Sequence, residues 1–309
     1  MIQPYDLAVT SVENGCHEHI GAGGSTPRSR SAPSFDSFPS GHWASSGTGR
    51  RESLAGSLVL VSNEVTADWQ RLWRADTPDS ALVDREATTP RWRRQERLIR
   101  ERFGTFDLSI IEVGSGRGTN ALLFAHRGSR VTLLDSEPLA LQQGQELAEA
   151  RGVVIDTRQA DVFDLPDDLR GRFDVSMSFG LCEHFLDQRR QDVVTAHLEL
   201  LKPGGVALVS VPNRWAPAYR AWMGIKKRRG TWEWGTEVPF SVRELSRLGR
   251  NAGGTPLRPI FGSATHSLVT QLVNPVLLFK LSRSIPAPHV SIPVVDRFAY
   301  DLTMPICRS

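Results

Sequence analysis

Residues 110–120 read Ile-Ile-Glu-Val-Gly-Ser-Gly-Arg-Gly-Thr-Asn, and Ala121-Leu122-Leu123-Phe124-Ala125 follows directly. An apolar run, a Gly-x-Gly-x-Gly turn and a helix-forming segment therefore come in that order. Glycine lets the backbone turn sharply and come close to a ligand, because no Cβ stands in the way. The helix that follows offers unpaired N–H groups at its start. This order restricts the chain to a parallel α/β arrangement with a ligand crevice beyond the strand ends.

Two details narrow the ligand. The dinucleotide fingerprint places its third glycine one residue later, where this chain has Thr119. A nicotinamide oxidoreductase is disfavoured on that ground. Glu112, just before the first glycine, suits a cation such as an amino group and would repel a pyrophosphate. S-adenosylmethionine carries an ammonium and a sulfonium, and no phosphate.

Four further segments continue the pattern. Val131-Thr132-Leu133-Leu134-Asp135 is β-like and ends in an acid about twenty residues after the glycines, where a carboxylate can hold ribose hydroxyls. Ser136 and Pro138 are suited to opening the next helix. Val153-Val154-Ile155 precedes Gln159-Ala160-Asp161-Val162. Phe173-Asp174-Val175 leads to Phe179-Gly180-Leu181-Cys182-Glu183-His184, and Lys202-Pro203-Gly204-Gly205 leads into Val206-Ala207-Leu208-Val209. The spacing predicts strands near 108–113, 130–134, 153–158, 173–179 and 205–211. Helices are expected near 119–127, 137–150, 187–201 and 241–252. Ser241 with Glu244 forms a capping box for the last helix, and Gly253-Gly254 would end it.

Over about residues 96–254 these motifs resemble class I S-adenosylmethionine-dependent methyltransferases, most closely the subgroup that includes the quinone-biosynthesis methylases. The resemblance implies a Rossmann-like, doubly wound, mostly parallel seven-stranded sheet with an antiparallel last strand. It implies S-adenosylmethionine as cofactor. Glu112, Gly114 and Gly116, with Ser115 and Gly118 in the same turn, would line its methionine part. Asp135, with Ser136 beside it, would hold the ribose. Asp161 and the Val162 backbone would meet the adenine, and Phe179 and Gly180 would close over the cofactor. His184 lies just past the fourth strand, where an acceptor should enter. It is the candidate general base, with a structural or capping role as the alternative.

At 309 residues the chain can hold one full α/β core and extra segments. A formal charge of +3 does not call for nucleic acid. Cys16, Cys182 and Cys307 make no zinc spacing and no disulfide framework, which points to a reducing cytoplasm. No signal-peptide pattern and no bilayer-spanning run are present in the sequence. Residues 1–55 are mostly small, polar and Pro-rich, and read as a disordered tail. Cys16-His17-Glu18-His19 has no second ligand cluster, so no metal is expected. Residues 56–104 read as a helical N-terminal cover carrying Trp69, Trp73 and Trp92, with a helix after Thr89-Pro90. Residues 105–309 read as the cofactor-binding domain.

Residues 213–240 interrupt the alternation after the fifth strand. They hold Trp215, Tyr219, Trp222, Trp232 and Trp234, with Lys226-Lys227-Arg228-Arg229 between them. Such a loop reads as a lid over an acceptor pocket, and its basic, aromatic character leaves RNA as an alternative acceptor. Leu268, Leu272, Val276 and Phe279 share a stripe that Asn274-Pro275 should break or kink. It is a pocket cover, a dimer contact or a weak membrane-surface helix. The chain would be a monomer or homodimer. Residues 297–306 resemble the family's last antiparallel strand, with Pro305 suiting an edge or terminal position better than a central one. No Asn-Pro-Pro-aromatic motif or paired-cysteine arrangement is present, which favours a small or lipid-like acceptor methylated at oxygen. An RNA or protein methyltransferase and a non-catalytic cofactor-binding module are the competing readings.

The tail reading has a direct check. A chain beginning near Leu54 should unfold cooperatively close to the full chain's Tm. A large drop in Tm would show that the preceding residues pack on the domain.

Overall fold

The structure, a computed structural model, describes residues 69–74, 80–275, 287 and 290–309. The expected tail at 1–55 and the Cys16-to-His19 cluster lie outside these residues. Residues 69–74 are helical (α1). They are followed by α2 (Ala81–Ala87), α3 (Pro90–Phe103), β1 (Ser109–Val113), α4 (Thr119–Ala125), β2 (Arg130–Asp135), α5 (Pro138–Ala150) and β3 (Asp156–Gln159). Next come β4 (Phe173–Phe179), α6 (Asp187–Leu200), β5 (Leu201–Pro212), α7 (Pro217–Arg228) and α8 (Val242–Asn251). The chain closes with β6 (Gly254–Pro256), β7 (Ile260–Phe261), α9 (Ala264–Leu268) and β8 (Asp301–Arg308).

The strands form one sheet in the order β3-β2-β1-β4-β5-β8-β6, with two-residue β7 also paired to β8. The first five strands in that order are parallel, whereas β8 runs antiparallel to β5, β6 and β7. The chain leaves β1 toward β2 and β3, then crosses back to β4. A crevice therefore opens beyond the carboxyl ends of β1 and β4.

Both faces of the sheet are buried, so the central strands read as nearly unbroken apolar runs. Alternation divides them between two cores. Ile110, Leu133, Met177 and Leu208 pack against Trp92, Ile99, Leu122 and Leu147 of α3, α4 and α5. Ile111, Val113 and Val209 pack against Val193, Leu198 and Leu245 of α6 and α8. Trp92 meets Phe124 with ring centroids 4.6 Å apart.

Local signals set several boundaries. Thr89 caps α3 by accepting from Trp92 N–H, Pro90 occupies its first turn, and Gly104 ends it at φ 69°. Ser241 caps α8 through Glu244 N–H. The Glu244 carboxylate forms an ion pair with Arg190 at 3.1 Å.

Other expectations need correction. The third strand is paired only over Asp156–Gln159, and Val154 is 91% exposed. Val153 N–H instead donates to Ala148 O and finishes α5. Glu137, not Ser136, is the N-cap of α5, and the Asp135 carboxylate takes the Glu137 N–H. Within the described residues Asn274-Pro275 distorts its helix rather than ending it. The turn widens over Val269–Val273, Asn274 N–H reaches Val269 O, and residues 274 and 275 remain helical. The stripe beyond Pro275 lies outside the described residues.

Pro305 is inside the sheet rather than at its edge. It faces Leu208 of β5, with β6 and β7 on the other side of β8. Its carbonyl accepts from Leu257 N–H on that second side. A strand residue points its N and C=O the same way, so the missing donor falls in the gap between β6 and β7, where no ladder bond is lost. Helix α2 had no clear signal in the sequence.

Thr89→Ala should cost about 1 kcal/mol of stability in urea unfolding, while Thr89→Ser should be nearly neutral. Equal loss in both variants would show that the methyl group, not the cap, carries the effect.

Candidate functional site

The crevice is built around three glycines that sit in the left-handed region, Gly114 (φ 57°), Gly116 (φ 52°) and Gly118 (φ 69°). A Cβ on Gly118 would come within 2.4 Å of Leu133, and one on Gly114 within 2.6 Å of Leu181. The turn is thus tied to both close packing and backbone conformation.

Asp135 fastens this turn to the end of β2. Its Oδ2 accepts from Gly116 N–H at 2.8 Å and its Oδ1 accepts from Glu137 N–H at 3.0 Å. Ser115 N–H donates to Leu134 O, and the Ser115 hydroxyl to Gly116 O. Burial pushes the Asp135 carboxyl up, against the lowering effect of those two N–H groups. Glu112 points to the α4 face of the sheet, and its Oε2 accepts from Ala121 N–H at 2.9 Å. Burial raises its carboxyl to about 8, and the bond from Ala121 opposes the shift. Asn120 is also buried here, and its Oδ1 has no hydrogen-bond partner.

The remaining predicted residues flank this core. Asp161 is exposed beyond β3, where its Oδ1 accepts from Phe163 N–H at 2.9 Å, while Val162 is buried. Ser136 is exposed, and its carbonyl accepts from the Gln159 amide. Phe179 is buried at the end of β4, with the Arg91 guanidinium 5.0 Å from its ring centre. Gly180 follows at φ 76°, its N–H donating to Ser210 O.

His184 ends a short 3₁₀ turn, Cys182–His184. Its Nδ1 lies 2.8 Å from Thr236 O, which places the N–H of the neutral ring on Nδ1. The Trp69 ring meets it edge-on at 4.8 Å. Burial lowers the imidazole pKa to about 4, so it is neutral at physiological pH. Val238 N–H donates to Glu183 O in the same place, which clips residues 236–238 onto the turn. Glu183 and Glu237 are both buried and both raised, chiefly by burial. The Tyr219 hydroxyl donates to Glu237.

The 213–240 insertion is pinched at its base by an Asn213–Phe240 bridge and contains α7. Trp222, Trp232 and Trp234 pack on one another at 5.0–5.6 Å, and Tyr219 packs on Tyr300 at 4.5 Å. Leu72 and Trp73 of α1 join this cluster, with Trp69 against it. Sequence reasoning missed Arg91, Asn120, Glu237 and Tyr300. Only Glu237, an acid among tryptophans, carried a local signal.

Residues 110–205 match the model of a family described as a methyltransferase domain. A ubiquinone biosynthesis O-methyltransferase from Chromobacterium violaceum is 36% identical over 150 residues, which is 47% of this chain and 63% of the relative. One from Pseudomonas paraeruginosa is 31% identical over 151 residues, 48% of this chain and 61% of the relative. The chain thus spans about three fifths of the length of these relatives. The crystal structure of Burkholderia thailandensis 1,6-didemethyltoxoflavin-N1-methyltransferase shares the fold, with a TM-score of 0.50 and 18% identity, covering 85% of this chain and 93% of that one. Residues 110–205 thus match a methyltransferase-domain model, and the sheet order and glycine turn give the chain the fold of the methyltransferase structure compared. Among the described residues, no helix is long and apolar enough to cross a membrane.

The raised Glu112 carboxyl makes a pH prediction. A raised acid favours the folded state at low pH, and that contribution is lost as pH rises through about 8. Wild-type stability should therefore fall between about pH 5 and 8 more steeply than that of Glu112→Gln, which keeps the acceptor for Ala121 N–H. The difference in slope should approach about 1.4 kcal/mol per pH unit at most. Parallel curves in urea unfolding would show that Glu112 is ionised throughout.

Proposed function

We propose that this chain transfers a methyl group from S-adenosylmethionine to an oxygen of a small or lipid-like molecule, in the cytoplasm. The observation that carries the reading is the convergence of Glu112, Asn120, the glycine turn and Asp135 at the end of β1. These residues fit the cofactor. Glu112, raised by burial, is a carboxylate that an ammonium would return to its anionic form. The orphaned Asn120 Oδ1 is a second buried acceptor for an amino group. Asp135 uses one lone pair of each oxygen on the backbone and keeps others for two ribose hydroxyls. Asp161 and Val162 would border the adenine, and Phe179 and Gly180 the sulfonium end. When bound, the cofactor supplies an electrophilic methyl on a good leaving group.

The protein then has to align the acceptor and exclude water. The cluster around Tyr219, Trp222, Trp232, Trp234 and Tyr300 supports an acceptor chamber on the His184 side of the crevice. His184, neutral and held by Thr236, can take the acceptor's proton on Nε2. The choice of oxygen rests on the O-methyltransferase names of the relatives. Nucleic acid is not proposed. Lys226 and Lys227 of the basic run lie over tryptophan rings at 5.1–5.8 Å, so the run is partly engaged within the fold.

Calorimetry should show binding of S-adenosylmethionine or its demethylated product, and much weaker binding of NAD. Asp135→Ala should cost about 1–3 kcal/mol of that affinity. His184→Ala should lower turnover by about 10²–10⁴ and leave cofactor affinity nearly intact. Tight NAD binding alone would overturn the assignment. Loss of cofactor binding in His184→Ala would remove its role as base.

A further inference from the structure

On the far side of β8 the described residues leave an unusual surface. Eleven large apolar side chains are exposed among them, and five of these are Val290, Ile292, Val294, Val295 and Phe298. A cluster that dense on one short segment marks an interaction surface, whereas scattered exposed residues would not. Val294 is 74% exposed and also lines a cavity of about 940 Å³ between α3, β7 and this segment. The cavity floor is apolar, with Leu98, Ile260 and Phe261.

Four arginines stand around the cavity. Arg94 is engaged by Asp296 at 3.0 Å and by Phe261 O. Arg97, Arg258 and Arg297 are exposed, and no guanidinium partner is seen for them among the described residues. Glu101, also exposed, is the one other acid of the wall besides Asp296. The rim therefore carries a positive excess around an apolar floor.

We propose that this face docks on an anionic lipid surface. Val290, Ile292, Val294 and Phe298 would enter the headgroup and acyl boundary. Arg97, Arg258 and Arg297 would pair with lipid phosphates, for which the guanidinium fork is suited. Arginines around exposed aliphatic and phenyl side chains match a surface that is both anionic and apolar, and the cavity is open enough to take part of an acyl chain. The position is useful. β7 pairs with Leu302 and Thr303, beside the carboxyl end of β5 and so at the same end of the sheet as the crevice. The segment runs directly into Tyr300, which packs on Tyr219 in the aromatic cluster. The proposal concerns binding alone and holds whichever acceptor is methylated.

Flotation of the full chain with vesicles tests it. Binding should be strong to phosphatidylcholine doped with phosphatidylglycerol, weak to pure phosphatidylcholine, and reduced by salt. Replacing Arg97, Arg258 and Arg297 together by Gln should weaken partitioning by about fivefold per arginine, and the matching Lys triple variant should retain most of it. Val294→Asp with Phe298→Ser should also reduce binding, with Tm close to wild type because both sites are exposed. Equal binding to both vesicles, no binding to either, or an unchanged Gln triple variant would overturn the proposal. Saturable binding of monomeric short-chain phosphatidylglycerol without vesicle binding would also overturn it, and would assign the cavity to a free anionic amphiphile.

Discussion

The hydrogen bonds of Asp135 organise the crevice. One carboxylate, at the end of β2, holds Gly116 N–H on one oxygen and Glu137 N–H on the other. It therefore sets the turn after β1 against the start of α5. Without it, a loop of left-handed glycines would have little to select one conformation, since glycine loses more backbone freedom on ordering than any other residue. Burial makes the arrangement costly for an anion, and the two N–H groups offset part of that cost. Glu112 repeats the device one strand away, joining β1 to the first turn of α4 through Ala121. The two acids thus have structural duties in the same places where a cationic, ribose-bearing cofactor would need them.

A second constraint joins this crevice to the insertion. The Cys182–His184 turn holds Val238 through the Glu183 carbonyl and Thr236 through His184. Trp69 of α1 then packs on His184 from the other side. Three segments far apart in sequence meet at one imidazole, which holds its Nδ1 hydrogen bond in place. The same burial that lowers its pKa leaves the ring neutral at physiological pH and weakens it as a base. The buried Glu183 and Glu237 carboxyls lie beside this junction, and their raised pKa values keep like charges from accumulating there.

What the sequence revealed follows the range of the forces involved. Thr89-Pro90 and Gly104 marked α3 because capping and left-handed closure act within one turn of chain. The central strands were legible because burial on both faces demands unbroken apolar runs. β3 was misplaced because an edge strand pairs on one side only, so Val153 to Ile155 drew attention although the ladder begins at Asp156. Pro305 was assigned to an edge because sequence does not show which way a missing N–H points. At the site, Glu112 and Asp135 stood out beside the glycines. Arg91 over Phe179 and Trp69 against His184 did not, since those contacts exist only once the N-terminal helices lie on the sheet.

The glycine turn and the acids around it should respond to the cofactor as one unit. Amide hydrogen exchange with and without S-adenosylhomocysteine tests it most directly. Slowed exchange is expected at residues 114–121 and 135–137, with weaker protection near 161–163. Unchanged exchange across the glycine turn at saturating ligand, or protection confined to other parts of the chain, would contradict it.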